Sequence, residues 1–583
     1  MEHAQVLRTA DWAVLVLTIV TIVGWGLWKE RGAKTAEVYL TGGRESKWWT
    51  IGLSIMATQA SAITFLSMPG QAYTDGLGFV QFYLGQPVAL VLLAAFVVPI
   101  YYRLKVYTAY EYLEKRFDRK TRLLTAMLFL LSRGLATGIA IYAPAIVLST
   151  VLGWPLQLTN LIIGGVVIVY TVSGGTRIVS RTQSLQMVVM LAGMGVAAIV
   201  IWSQLPPDLS FGHALRLAGT LGRMKVIDYS TRFDTRYTFW SGMTGGLFVA
   251  LAYFGTDQSQ VQRYLGGSSL TESKLGLLFH GLFKVPMQFL ILFVGVLLFM
   301  FYQFERPPLF FDEAQWSTIR NGPDFASARA LERGWESAFT VKRERVEALL
   351  QAYRTNDTSA IETGREALRA AATRSDEIRE RATQLVKALN GGKETKDADY
   401  IFIGFVVSHF PQGLVGLLLA VILCAAMSAV AASLNSLGTT TVVDLYKTTI
   451  RAEASDAHYL LVAKLFTVFW GVVAVLFAAF ASQLDNLIQA VNILGSIFYG
   501  PMLGVFLVGF FLPRVRATPV FIAALLAQAL VVAVWRLSTI GFLWYNVIGC
   551  GAVIAVSVTL SGVWRRRPDR PPSGTPRQPP SRY

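Results

Sequence analysis

The chain has 583 residues, 54% of them hydrophobic and only 15% charged, with 50 glycines and a formal net charge of +16. A soluble domain or a disordered chain does not have this composition; an integral membrane protein does. The positive charge does not call for nucleic acid as a partner, because most Lys and Arg stand at the borders of apolar runs, in one polar insertion or in a Pro/Arg tail. Membrane orientation and contact with anionic lipid account for the border set.

Thirteen apolar stretches reach the roughly 20 residues that cross a bilayer core. In chain order they lie at 8–28, 48–70, 78–101, 123–150, 155–173, 183–204, 237–257, 274–303, 412–445, 458–482, 485–512, 517–536 and 543–563. An odd count places the termini on opposite sides. Lys29, Arg31, Lys34, Arg44 and Lys47 fill the first connection, and Arg103, Lys105, Lys115, Arg116, Arg119, Lys120 and Arg122 fill the third. The connections at 71–77, 151–154, 483–484 and 537–542 carry no Lys or Arg. Cytoplasmic loops retain basic residues, so the pattern predicts an outside N-terminus and a cytoplasmic C-terminus in the plasma (inner) membrane. Arg536 and the loop 205–236, with Arg216, Arg223, Lys225, Arg232 and Arg236, run against it and are outvoted. The first apolar run is long enough to span and does not read as a cleavable signal.

The domain organisation follows: helices one to eight in 1–303, a polar insertion at 304–400, helices nine to thirteen in 401–563, and a basic, Pro-rich tail at 564–583 that reads as disordered and cytoplasmic. In the insertion, Val346, Leu349, Leu350 and Tyr353 share one helical face, and Leu368, Ala371, Ala372, Ala382, Leu385 and Leu389 share another. Asn356, Asp357 and Thr358 supply a turn between them, and Ser359 with Glu362 has capping-box spacing. The expectation is an extracytoplasmic helical hairpin, either a solvated insertion or a lid or partner-binding site. Cys424 and Cys550 both fall inside spans, far apart, and read as small apolar residues rather than a disulfide.

Function is sought where the apolar runs are interrupted. The second span has a small and polar middle, Met56 to Thr64, followed by Pro69 and Gly70. Five spans later the seventh repeats the idea with Gly242, Gly245, Gly246 and the run Ala252 to Thr256. Broken first helices in two inverted halves are how secondary transporters build a midplane site; close packing of small residues is the structural alternative.

Local wording decides between them. Residues from about Val38 to Lys447 carry Ala57-Thr58-Gln59-Ala60-Ser61-Ala62, Tyr107-Thr108-Ala109-Tyr110-Glu111-Tyr112-Leu113, Thr137 to Pro144, Thr256-Asp257-Gln258-Ser259-Gln260-Val261-Gln262-Arg263, and Ser433-Leu434-Asn435-Ser436 with Asp444-Leu445-Tyr446-Lys447. In these stretches the chain resembles the sodium:solute symporter family, and with Gly500-Pro501-Met502-Leu503-Gly504 it looks closer to the monocarboxylate, iodide and vitamin branch than to the sugar branch. The resemblance implies an all-α polytopic membrane protein with an inverted five-plus-five repeat from span two to span eleven, one helix before it and two after. It also implies a sodium site between the second and ninth spans, formed by the carbonyls of Ala57, Ala60 and Ala425 and the hydroxyl of Ser428. Several oxygens around a small hard cation make chemical sense. Two positions depart from the family pattern: Ala429 stands where a second Ser or Thr is usual, and Gln183 where members with a further sodium site have Asp.

The solute candidates are Gln59, Ser61, Ile63 and Thr64 at the broken second span, Arg133 and Lys284 inside apolar spans, Tyr253 and Phe254 as an aromatic gate, and Asn492. An intramembrane charge normally faces a cavity or a partner, which a carboxylate solute would satisfy and a snorkelling side chain would not need. Asp257 and Asp444, beside Gln262-Arg263 and Lys447, suit structural ion pairs better. No GxxxxGK[ST] loop is present, and the histidines at 3, 213, 280, 409 and 458 form no metal-ligand pattern, so neither an ATP-driven pump nor an enzyme is expected. The reading is an ion-coupled importer of a small organic solute, first an organic anion such as a monocarboxylate, with no cofactor besides sodium as coupling ion. The alternatives are a proton-coupled or uncoupled carrier of a sugar or amino acid, and a non-transporting solute sensor.

Overall fold

The computed structural model describes residues 7–29, 35–389, 397–481 and 487–564. The tail after Trp564, Arg31 and Lys34 of the first connection, and the 483–484 connection lie outside these residues. The described chain is all α-helical, with one isolated bridge between Ser46 and Gly267. Nine of its helices are long and apolar enough to cross a membrane. The count of thirteen expected spans is matched only in part as continuous helices, because several spans are made of pieces.

The first helix, α1 (Thr9–Lys29), is followed by α2 (Trp48–Gln59) and α3 (Ala62–Asp75), the two halves of the broken second span. The third span, α4 (Gln86–Leu92), passes through a π turn at Leu93–Val97 into Val98–Leu104. Next come α5 (Arg119–Leu152) and α6 (Leu156–Ser203). The fifth and sixth expected spans are both inside α6, which turns at Gly175 with φ 57° and ψ −164°. That conformation is open only to glycine, and a Cβ there would also crowd the ring of Tyr39.

The seventh span runs from a π turn at Ser241–Gly245 into α7 (Gly246–Thr256), breaks at extended Asp257, and resumes as α8 (Gln258–Leu265). Its break therefore lies just beyond the small-residue run and not within it. Asp257 causes the break by accepting from the Ser259 amide at 2.9 Å, which caps the next helix. The eighth span is α9 (Leu270–Phe304). Gly276 of α9 packs on Ile51 of α2, and Gly295 packs on the Pro69 backbone of α3, so the two spans run side by side in the same direction. Lys284 lies between those contacts, level with the break in the second span.

The insertion forms the expected hairpin, α10 (Phe325–Thr355) and α11 (Thr358–Leu389). Val346, Leu349, Leu350, Tyr353, Leu368 and Ala382 are buried as the periodicity requires, joined by Ile378 and Val386, whereas Leu389 is exposed. Asn356 takes a left-handed φ of 53° to close α10. The cap of α11 is Asp357, which accepts from Ala360 N at 3.0 Å, so the helix starts ahead of the anticipated Ser359 box. The hairpin also packs on the 205–236 loop. Arg354 pairs with Asp208, Arg369 Nε donates to the Thr220 carbonyl at 3.2 Å, and Tyr353 OH meets Thr220 Oγ1 at 3.1 Å. Loop and hairpin thus cover the same end of the bundle.

After α12 (Ala398–His409), the ninth span α13 (Leu414–Thr440) runs into a π segment, Thr441–Ile450. The described residues end with α14 (Asp456–Ala478), α15 (Leu487–Phe511), α16 (Ala517–Leu537) and α17 (Leu543–Trp564). The two cysteines are free and buried.

Candidate functional site

The second span breaks at Ala60, whose ψ of 80° leaves the helical region, and Ser61, extended at ψ 174°, starts the next half. The small side chains of Ala57, Ala60 and Ala62, all fully buried, let neighbouring helices close on this weakened backbone. Ala60 N still bonds to the Met56 carbonyl at 2.8 Å, and Thr64 N bonds to the Ser61 carbonyl at 2.9 Å, so the two half-helices end and begin cleanly around one open step.

On one side of that step lies a set of hard oxygen donors. Ser428 Oγ of α13 donates to the Ala57 carbonyl at 2.8 Å, bringing two of the four anticipated sodium ligands into direct contact. Ala60 and Ala425 are fully buried on the same two spans. Gln183 of α6 ties the group together: its Oε1 accepts from Ser54 Oγ at 2.5 Å, and its Nε2 donates to Thr58 Oγ1 at 3.1 Å and to the Ser428 carbonyl at 3.0 Å. Where a carboxylate would add negative charge, this amide makes three neutral bonds. A cation entering here has to displace the Ser428–Ala57 hydrogen bond, after which the hydroxyl can turn its lone pair inward.

On the other side is a cavity of about 90 Å³. Gln59, Ser61, Ile63, Thr64, Arg133, Tyr253, Phe254 and Asn492, eight of the nine anticipated solute-facing residues, line it. The ninth, Lys284, does not. It is 1% exposed and stands behind the wall, its Nζ 5.4 Å from the centre of the Tyr83 ring. Sequence reasoning missed Tyr83, Gln86 and Tyr499, which also line the cavity. Gln86, a polar residue beside Pro87 inside the third apolar stretch, was the one with a readable signal.

Arg133 is not free to meet a solute. Its guanidinium pairs with Asp257, and it donates to Tyr499 OH at 3.0 Å while Tyr499 donates to Asp257 Oδ2 at 3.0 Å. Asp257 is thus an ion-pair residue as expected, but its partner is Arg133 and not the adjacent Arg263. Likewise Asp444 pairs with Arg122 at 2.8 Å, and not with Lys447. The aromatic side of the cavity is built on the Arg133 pair: Tyr253 lies under the guanidinium at 5.2 Å, faces Tyr499 at 5.9 Å, and accepts from Gln260 Nε2 at 2.7 Å.

At the hairpin end, α12 rests on α3, with the Gly70 backbone against Ala398. Asp399 of α12 accepts from Leu487 N at 3.4 Å, and burial pushes its carboxyl up to about 6. Among the described residues no group of three His, Cys, Asp or Glu could hold a metal.

A polytopic helical bundle with a broken helix beside an internal cavity is the architecture of membrane solute carriers. The chain belongs to the sodium:solute symporter family, whose model matches residues 39–310 and 382–527. It is 36% identical over 299 residues to the human sodium/iodide cotransporter, a match covering 50% of this chain and 45% of that relative. It is 26% identical to the sodium-coupled monocarboxylate transporter 2 of Bos taurus, covering 88% of this chain and 70% of the relative. It is also 26% identical to the sodium/sialic acid symporter of Proteus mirabilis, covering 94% of each. Among solved structures, a substrate-bound, outward-open sodium-coupled sialic acid symporter superposes with a TM-score of 0.74 at 23% identity, over 95% of this chain and 98% of the other, which establishes the shared fold.

Proposed function

We propose that the protein is a sodium-coupled symporter that imports a small organic solute, first a monocarboxylate, by alternating access. The observation that carries this reading is the junction of the broken second span with α13, where Ser428 Oγ and the Ala57 carbonyl meet beside the cavity. A cation bound there holds α13 against α2, and this favours the state in which the cavity accepts solute. Coupling is then a difference in affinity between states. Gln183 argues against a second sodium ion, and Ala429 leaves the first site one oxygen short, so Thr58 Oγ1 or water completes its shell.

The cavity supports a small solute. Its volume is about 90 Å³, and at roughly 30 Å³ per water it has room for about three waters, which favours a solute of a few heavy atoms. The relatives named for iodide and monocarboxylate fit this size. The distribution of basic residues supports an outside N-terminus, a cytoplasmic C-terminus and an extracytoplasmic 304–400 hairpin in the plasma membrane.

Thermal unfolding of the detergent-purified protein in sodium against equal choline tests the cation site without knowledge of the solute. Sodium at about 100 times its dissociation constant adds roughly 2.7 kcal/mol to the native state. A sodium-specific rise in melting temperature that Ser428→Ala loses supports the proposal; no rise in folded wild-type protein refutes it.

A further inference from the structure

Among the described residues, the charges around the cavity do not sum to zero. No described carboxylate lines it, and Arg133, the one charged residue among those described in its wall, is matched by Asp257. Lys284 is the remainder. Its side-chain amine is buried at the level of the break, and its Nζ has no hydrogen-bond partner among the described residues. The groups beside it are uncharged acceptors and rings. Tyr83 lies between it and the cavity. His280, one turn earlier on α9, contacts Gln86 through Nε2 at 3.0 Å, and Gln86 Oε1 lies 3.5 Å from Gln59 Nε2. Protonating a buried amine without a counter-ion is costly inside a membrane protein, and an anion brought beside it offsets that cost.

We infer that Lys284 sets the charge specificity of the transport site: its ammonium, one side chain behind the wall, is the counter-charge for the anionic group of a solute held against Tyr83, Gln86 and Gln59. This inference rests on the proposed transport site and specifies which solutes it selects. In a water-poor interior, opposite charges separated by one aromatic ring still interact strongly enough for about a tenfold difference in affinity. Lys284 acts through the field and through Tyr83 and is a positioning residue, not a direct ligand. The Arg133–Asp257 pair, being neutral overall, contributes no such preference.

The test is equilibrium binding to the purified full-length protein of three acids, propionate, pyruvate and lactate, each against its uncharged amide, propionamide, pyruvamide or lactamide. In the wild type at least one acid is expected to bind about tenfold more tightly than its amide. Lys284→Met and Lys284→Gln are expected to bring that ratio to about one, and Lys284→Arg to preserve it. Melting curves in sodium and choline establish folding for each variant and report the Ser428 site separately. If the sodium-specific shift is absent while the acid preference is present and depends on Lys284, the coupling proposal fails and this one stands. The inference is overturned if no acid outbinds its amide in the wild type, if the preference survives in Lys284→Met or Lys284→Gln, or if folded Lys284→Arg loses it.

Discussion

Removing Asp257 is expected to destabilise the protein more than any other single change at the cavity. The carboxylate is fully buried and accepts from the Arg133 guanidinium, from Tyr499 OH at 3.0 Å, and from Ser259 N and Oγ at 2.9 and 2.6 Å. Asp257→Leu leaves the guanidinium buried and uncompensated and removes the cap of α8. Breaking a buried pair from one side costs about 3–5 kcal/mol, and the lost cap adds about 1 kcal/mol. Arg133→Met is expected to cost less than Asp257→Leu, because Tyr499 and Ser259 still solvate the carboxylate. The double variant Arg133→Met with Asp257→Leu is expected to recover most of the loss, since a well-packed apolar pair often matches a buried ion pair. Denaturant unfolding of all four proteins in one detergent, read as a double-mutant cycle, measures the coupling. Additive single effects, or single losses below about 1 kcal/mol, would refute the reading of Asp257 and Arg133 as a self-neutralised pair, and with it the assignment of the net charge to Lys284.

Three further outcomes follow from other parts of the fold. Gly175→Ala is expected to lower stability by about 1–3 kcal/mol, because alanine cannot adopt φ 57° and ψ −164° without strain; an unchanged melting temperature would show that α6 can straighten there. The Asp399 carboxyl is pushed up from 3.8 to about 6 by burial, so its protonated form favours the native state. That stability is fully present below pH 3.8 and is lost as pH rises through about 6, a change on the order of 3 kcal/mol; the melting temperature of Asp399→Asn should therefore lack this part of the pH dependence, and identical profiles would refute it. In the hairpin, Arg354→Ala removes an exposed pair and should leave the melting temperature unchanged, whereas Tyr353→Ala opens a buried site and should cost about 3–5 kcal/mol; the reverse order would mean that the hairpin is held by its charges.

Much of this architecture is legible in the sequence because membrane burial imposes simple patterns. Apolar length marks spans, and the polar stretch from Met56 to Thr64 marks the break, since such residues are tolerated at membrane depth only against a cavity or packed protein. The cavity wall was correspondingly readable from Gln59 to Asn492. Long-range pairing was not. Arg133 and Asp257 are 124 residues apart, and nothing local distinguishes that partnership from Asp257 with the nearby Arg263. The sequence leaves Lys284 between facing the cavity and snorkelling, and its place behind Tyr83 depends on how α9 rotates against α3, which hydrophobic periodicity cannot resolve in a helix buried on most sides. The break of the seventh span was misplaced toward the glycines because glycine here serves close packing, while a side-chain cap from Asp257 ends the helix. The stretches 155–173 and 183–204 are distinct in the sequence yet continuous as one helix, since α6 joins them through a single glycine without a loop.

Sodium-driven accumulation of labelled propionate, pyruvate and lactate in proteoliposomes addresses the central claim most directly. The account predicts that at least one acid is concentrated inside the vesicles under an inward sodium gradient, that equal choline abolishes the accumulation, and that Ser428→Ala removes it while the protein remains folded. Accumulation of an acid to the same level in choline, or no accumulation of any of the three by folded protein in sodium, would contradict it.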